Sequence, residues 1–303
     1  MRRKWEPAGA AYLFLLPALA VYALWVLLPM GQSLYYSLFA WSGVGEHKTY
    51  VGLANFRALV QDAVFWQALG HNAILLIMSL LLQLPLAFLL AVVFTRGLRG
   101  EGLFRTVSFA PMVMPTVAIA VLWTFIYAPL EAHGLLNSAL AAWGGEGWTH
   151  GWLGESDPDL SLWAVIVTVC WRYVGFHLVL FTAGIQTIPE ELHEAARLDG
   201  ATEGQVLRYV TIPLLARVAT ISATLSLVGS LKYFDIIYVM TRGDGPYPHA
   251  TELVATYMYK LAFDQQRMGY GSAVAVALFG ISLAVAIAFS AGMARRAEAS
   301  VGG

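Results

Sequence analysis

The chain has 303 residues, 58% of them apolar and 12% charged, with a formal net charge of −1. A charge content about half the roughly 25% of ordinary globular domains points to lipid as part of the solvent. The near-neutral balance, without basic blocks, excludes nucleic acid as a partner, and the single cysteine, Cys170, excludes an internal disulfide.

Arg2, Arg3 and Lys4 precede an uncharged run over Ala10–Met30. That run exceeds the apolar core of a signal peptide, about 7–15 residues, and predicts an uncleaved first spanning helix. The mixed, aromatic-rich stretch from Ala40 to Gly70 reads as an external loop. A second uncharged run, Asn72–Thr95, carries Pro85 and is followed by the basic turn Arg96–Arg105. The third, Thr106–Leu130, holds Pro111 and Pro115, whose bend neighbouring helices can tolerate in a membrane. The loop from Glu131 to Asp159 contains no Lys or Arg, and the fourth run, Leu160–Ile188, differs from the others in carrying Arg172 and His177. The fifth span is placed at Thr211–Tyr233 and the sixth at Gly269–Ala294, closed by Arg295 and Arg296. Between them Thr251–Phe263 is amphipathic, with Leu253, Tyr257 and Leu261 on one stripe, and is assigned to the membrane interface. Ala273, Ala277, Gly280, Ala284 and Ala288 put small residues at the spacing that close helix approach requires.

Orientation follows the basic residues. With both termini cytoplasmic, the inner segments hold Arg2, Arg3, Lys4, Arg96, Arg99, Arg105, Arg197, Arg208, Arg217, Arg295 and Arg296. The outer segments hold only Lys48, Arg57, Lys232, Arg242, Lys260 and Arg267. The expected architecture is an all-α, polytopic membrane bundle of six transmembrane helices, one domain over 1–303, with both ends cytoplasmic.

The longest charged interlude on the cytoplasmic side covers 187–213. Thr187 with Glu190 reads as a capping box, and Glu190 and Glu191 place negative charge in a first helical turn. Asp199-Gly200 ends that helix, glycine supplying the left-handed conformation of the C-terminal cap. Thr202 with Gln205 offers a second capping box. A rigid helix-turn-helix at a membrane face suggests a docking element for a partner protein.

No G-x-x-x-x-G-K-[ST] phosphate loop occurs, so neither ATP hydrolysis nor a bound cofactor is expected of this chain. His193-Glu194 begins an H-E-x-x-H pattern, but Arg197 stands at its closing position, and no metal or catalytic site is expected. Arg172 would be costly facing lipid and must face protein or a water-filled cavity. Two readings stay open for it. It caps backbone carbonyls or pairs with a neighbouring helix, or it lines a substrate path with Tyr173 and His177 on one side of its helix. In the fifth span Ser226, Gly229, Ser230 and Tyr233 add a polar, aromatic stripe that suits sugar hydroxyls.

Glu194-Ala195-Ala196, Gly200 after three residues and Val210-Thr-Ile-Pro213 after nine more closely resemble the E-A-A-x3-G-x9-I-x-L-P signature. That signature marks the membrane subunits of binding-protein-dependent ABC importers. Phe234 to Pro246, Ala250-Thr251 and Met268 to Ala273 resemble the F-x-x-x-x-x-x-T-x-G-G-P … T … G-x-x-x-A pattern of the carbohydrate type, with Asp244 inserted between the two glycines. Tyr12–Pro17, Gly52–Phe56 and Arg105 with Pro111 extend the likeness over nearly the whole chain, which is most similar to the maltose or glycerol-3-phosphate first permease subunit.

The resemblance implies a type I importer transmembrane domain in a bacterial or archaeal cytoplasmic membrane. Glu194, Ala195, Ala196, Asp199, Gly200 and Pro213 would form the coupling element that docks in a cleft of an ATPase subunit. Glu194 would face basic groups there, and the two alanines would allow close approach. Val174, Gly175 and Leu178 match one sugar-lining segment of the family, and Ser226, Gly229, Ser230 and Tyr233 match another; Arg172 and His177 join that path. The implied partners are a second homologous permease subunit, two cytoplasmic ATPase subunits carrying ATP and Mg, an extracytoplasmic solute-binding protein and membrane lipid. Two alternatives remain: an anionic cargo such as glycerol-3-phosphate partnered by Arg172, and a stand-alone secondary transporter, whose internal inverted repeats are not visible in this sequence.

Overall fold

A computed structural model describes residues 8–95, 100–154, 158–243, 245 and 248–301. Arg2, Arg3, Lys4, Arg96, Arg99, Asp244 and Pro246 lie outside these residues. The apolar runs fold as helices, because in lipid each backbone polar group must be satisfied within its own segment. In chain order the first elements are α1 (Ala8–Tyr22), α2 (Leu28–Tyr36), a strand pair β1 (Phe39–Ala40) and β2 (Thr49–Tyr50), and α3 (Ala54–Val60). Then come α4 (Ala63–Met78), α5 (Leu84–Phe94), α6 (Glu101–Val113), α7 (Thr116–Ile126), α8 (Leu135–Gly144) and α9 (Pro158–Gln186). The chain continues through α10 (Glu190–Leu198), α11 (Glu203–Val206), α12 (Ile212–Leu214), α13 (Ala216–Lys232), α14 (Asp235–Thr241), α15 (Val254–Tyr259) and α16 (Met268–Val301).

Prolines shape these helices in two ways. Ahead of Pro29, Pro85 and Pro213 the helix widens into π-turns at Ala23–Leu27, Ser79–Gln83 and Leu207–Thr211. Proline lacks the N–H for the carbonyl four residues back and its ring crowds that carbonyl, so a wider turn carries the chain past it. Between α6 and α7 the outcome is a break: Met114 is extended (φ −68°, ψ 146°), as a residue before proline prefers, and the axes bend by 104°.

Among the described residues four helices are long and apolar enough to cross a membrane: Tyr12–Tyr36, Ala63–Phe94, Asp159–Gln186 and Met268–Phe289. The bent pair α6–α7, and Glu203–Leu214 with α13 at 65°, raise the number to six if each counts as one span.

The chain divides into two compact units, one of residues up to Asp62 with Met258–Phe279, the other of Ala63–Tyr257 with the residues from Gly280 on. In the smaller unit Phe39 pairs with Tyr50 across the hairpin, and Asn55 donates to the Ser37 and Phe39 carbonyls at 2.8 and 3.0 Å. Gly269 is needed for its size: a Cβ there would stand 1.9 Å from the Phe39 carbonyl oxygen.

The larger unit is organised around α9, which packs on α5, α6, α7, α13 and α14. One core joins Leu75, Ile119, Val165, Val169 and Ile237; another joins Ala87, Ala91, Leu178 and Phe181. Buried polar side chains tie helices where lipid offers no hydrophobic drive for association. Asn72 donates to the Ser230 carbonyl at 2.6 Å and accepts from the Val254 N–H at 3.0 Å.

Two expectations are corrected and one loop gains a helix. The second long helix starts at Ala63, not Asn72, because Phe65 and Ala68 are buried while Gln67 and His71 bond the His249 and Glu252 carbonyls. The loop after α7 contains α8, folded back by Asn137, whose amide holds the Ala128 and His150 carbonyls. Leu253, Tyr257 and Leu261 are buried at 0%, 7% and 1% exposure, so their stripe faces protein rather than a lipid surface.

Candidate functional site

The interlude 187–213 folds as a two-helix knuckle. Thr187 and Glu190 do not form the expected box: Pro189 occupies the N-cap of α10, and the Thr187 hydroxyl donates back to the Gly184 carbonyl at 2.7 Å. The other end matches its sequence signal. Gly200 sits at φ +85°, its N–H bonds the Arg197 carbonyl, and the Ala201 N–H bonds the Ala196 carbonyl, both at 3.0 Å. This is the double bond of a Schellman motif, and it satisfies carbonyls that α10 would leave open. Nothing lies within 4 Å of where a Gly200 Cβ would be, so the glycine is there for its backbone conformation and not for space.

Thr202 caps α11 through a complete box: its N–H donates to Gln205 Oε1 at 2.7 Å and its hydroxyl accepts from the Gln205 N–H at 3.4 Å. Arg197 spans the turn, with Nε donating to Glu203 at 2.9 Å and Nη1 to Glu190 at 3.4 Å. The hydrogen bond to Glu203, reinforced by that residue's charge, raises the Arg197 pKa further above its ordinary value. Glu194 and Ala195 are exposed, and Leu198 at the tip is 88% exposed. Sequence reasoning passed over Leu198, whose signal is an apolar residue out of phase with the inward face of His193 and Ala196. Beneath the knuckle lies a cavity of about 610 Å³, lined among others by Ile188, His193, Arg197 and Thr211.

Arg172 makes the contacts that the first of its two readings requires. Pro115 has no N–H to give the Pro111 carbonyl, and the break strands the Met114 carbonyl as well. Arg172 Nη1 donates to both, at 3.4 and 3.1 Å, and Nη2 donates to the Thr116 hydroxyl at 3.0 Å. The guanidinium is thus committed to the α6–α7 corner and is 5% exposed. Arg172, Tyr173 and His177 do not act as one face: Tyr173 packs at a tilt against Tyr233, and His177 lies between the Ser222 and Ser226 hydroxyls of α13, at 2.5 and 3.2 Å.

A second cavity, about 230 Å³, opens beside that corner and is lined by Thr116, Tyr173, Gly229, Lys232, Tyr233 and Asp235, with Phe234 and Ile236 completing it. Of the residues assigned to a path, the structure brings Gly229 and Tyr233 here. Val174 and Leu178 are packed in the core against α5. Gly175 marks a helix crossing, since a Cβ would stand 2.0 Å from the Ser108 carbonyl oxygen. Ser226 is held by His177, and Ser230 donates to the Leu227 carbonyl while its own carbonyl receives Asn72. Each of these is a residue that helix packing consumes. Tyr173, which the sequence placed beside a path, lines this cavity too, whereas Thr116, Lys232 and Asp235 carried no signal because only the broken helices bring them together.

The chain thus combines helices apolar enough to cross a membrane, a small cavity between broken helices and an exposed two-helix knuckle, the features of a membrane protein. The chain belongs to the family of binding-protein-dependent transport system inner membrane components, whose model it matches over residues 83–299. It is 39% identical over 278 residues to a probable ABC transporter permease of Bacillus subtilis, covering 91% of this chain and 93% of that one. It is 32% identical to the diacetylchitobiose uptake system permease of Streptomyces coelicolor, covering 90% and 79%, and 32% identical to the lactose transport system permease of Rhizobium radiobacter, covering 87% and 86%. The crystal structure of a bacterial ABC transporter involved in import of the acidic polysaccharide alginate has the same fold, with TM-score 0.79 at 22% identity, over 95% of this chain and 96% of that one.

Proposed function

We propose that this permease is one of two homologous membrane subunits of a sugar importer. It spans a bacterial or archaeal cytoplasmic membrane six times, with both termini inside and each bent pair forming one span. An extracytoplasmic binding protein delivers the sugar, and two cytoplasmic ATPase subunits, which hold ATP and Mg, drive alternating access. The observation that carries this reading is the knuckle. Its Schellman turn at Gly200 and capping box at Thr202 make a stiff projection that presents Glu194, Ala195 and Leu198 to a partner. An exposed leucine beside a charged rim is the composition of an interface anchor. Ala196 is half-buried behind that face, and Asp199 and Pro213 lie exposed at the turn and beyond α11. A sugar cargo draws support from the relatives named for diacetylchitobiose and lactose. The path runs by Gly229 and Tyr233, while Val174, Gly175, His177, Leu178, Ser226 and Ser230 pack its walls. An anionic cargo held by Arg172 is disfavoured, because that side chain is 5% exposed and its Nη groups face the α6–α7 corner.

Replacing Gly200 tests the coupling role. Gly200→Ala would strain the left-handed turn by roughly 1–2 kcal/mol. Gly200→Trp adds a bulky group to the docking face. The tryptophan variant is expected to reach the membrane and assemble, yet to lose sugar uptake and binding-protein-stimulated ATPase activity in proteoliposomes. Full uptake and stimulation in that variant would overturn the docking role.

A further inference from the structure

Lys232 closes α13 and Asp235 opens α14, so the step between them places one cation and one anion on the wall of the same 230 Å³ cavity. Both are exposed, and neither has an ion-pair or hydrogen-bond partner among the described residues. Each alone has a plain role at a helix end, where lysine suits a C-terminus and aspartate an N-terminus. Their joint placement on one cavity is what those roles leave unexplained. Tyr173 and Tyr233 supply its aromatic wall, with ring centroids 5.4 Å apart and planes inclined at 41°. Thr116 adds a hydroxyl whose oxygen already accepts from Arg172, which leaves its O–H proton to donate elsewhere.

We propose that Lys232 and Asp235 are specificity-determining residues of the transport path. They hydrogen-bond hydroxyls of a neutral saccharide ring lying against Tyr173 and Tyr233, and they turn away saccharides that carry a carboxylate or phosphate. The inference rests on the sugar-importer reading above. An ammonium only donates and a carboxylate only accepts, so the ligand that satisfies both must do both, which is the chemistry of a polyol. Small-molecule sites of this kind combine apolar or aromatic walls with a few placed polar groups. An anionic group drawn to Lys232 enters the field of Asp235, a repulsive element that a neutral hydroxyl does not meet. Arg172 is near, but it is buried with its Nη groups turned to the Pro111 and Met114 carbonyls and the Thr116 hydroxyl, so the charges exposed on the cavity wall itself are those of Lys232 and Asp235.

The test uses the complete importer, purified with wild-type partners. Equilibrium dialysis in detergent, without the binding protein, measures retention of radiolabelled neutral di- and trisaccharides and of the same saccharides oxidised at C6 to uronic acids. Uptake of the neutral sugar by proteoliposomes, with the binding protein, is measured alongside. Lys232→Gln and Asp235→Asn keep size and exposure while removing charge. The wild type is expected to retain the neutral sugar over its uronate. Each variant is expected to weaken neutral-sugar binding about ten-fold, the loss of one charged hydrogen bond. Asp235→Asn is further expected to narrow the gap between sugar and uronate, and Lys232→Gln to widen it. Unchanged affinities in both variants, or a wild type that prefers the uronate, would overturn this inference and leave the importer standing. An assembled complex that neither binds nor transports any saccharide with its cognate binding protein would overturn the sugar reading itself.

Discussion

Pro115 cannot donate to the Pro111 carbonyl, and Arg172 reaches across from α9 to take that acceptor together with the Met114 carbonyl. A planar fork of donors suits this task in a way a single ammonium does not. Arg172→Met keeps the apolar stem, removes the donors and leaves both carbonyls stranded; Arg172→Lys restores only part of the contact. Hydrogen bonds from a charged group contribute about 1.5–3 kcal/mol, so the methionine variant should unfold at a lower temperature in detergent, with lysine intermediate. Unfolding curves that superimpose on wild type would show that the corner holds without the arginine. At this scale the sequence was half informative. It showed that Arg172 must be sheltered, since a charge in lipid is costly, but the choice between wall and ligand depended on carbonyls 58 and 61 positions away.

At the scale of elements, the knuckle depends on contacts between near neighbours, and those were the most legible. Gly200 and the Thr202–Gln205 box are signals complete within a few residues. Thr187–Glu190 has the same spacing but fails, because Pro189 takes the cap and the threonine finds a closer acceptor in its own preceding turn. Thr202→Ala should destabilise the start of α11 by about 1 kcal/mol. Hydrogen exchange of the amides over 203–211 reads that directly and should quicken; unchanged protection there would assign the stiffness to Arg197 and its two glutamates instead. The stripe Leu253, Tyr257, Leu261 illustrates the opposite case. Its periodicity was read correctly, but periodicity cannot say whether the apolar face meets lipid or protein.

For the whole molecule, hydropathy located the membrane-crossing material, and what it could not foresee was where proline would widen a helix and where it would break one. Pro29, Pro85 and Pro213 are passed through π-turns, whereas Pro115 turns the chain by 104°. The proposed six-span topology makes a direct prediction. Single cysteines placed in α8 at Ser138 and in the knuckle at Gly204, in a Cys170→Ala background, should label from opposite sides of sealed right-side-out vesicles with a membrane-impermeant maleimide. Labelling of both from the outside would remove the topology and the docking role together.

The corner around Arg172 also bears on energetics. A guanidinium pinned by carbonyls at a fixed corner carries no gating charge, and a neutral passenger brings none of its own. A membrane potential of 100 mV does about 2.3 kcal/mol of work per elementary charge displaced, so here it has nothing to act on. For the proposed neutral cargo, uptake into proteoliposomes should then run at the same rate with and without an imposed membrane potential.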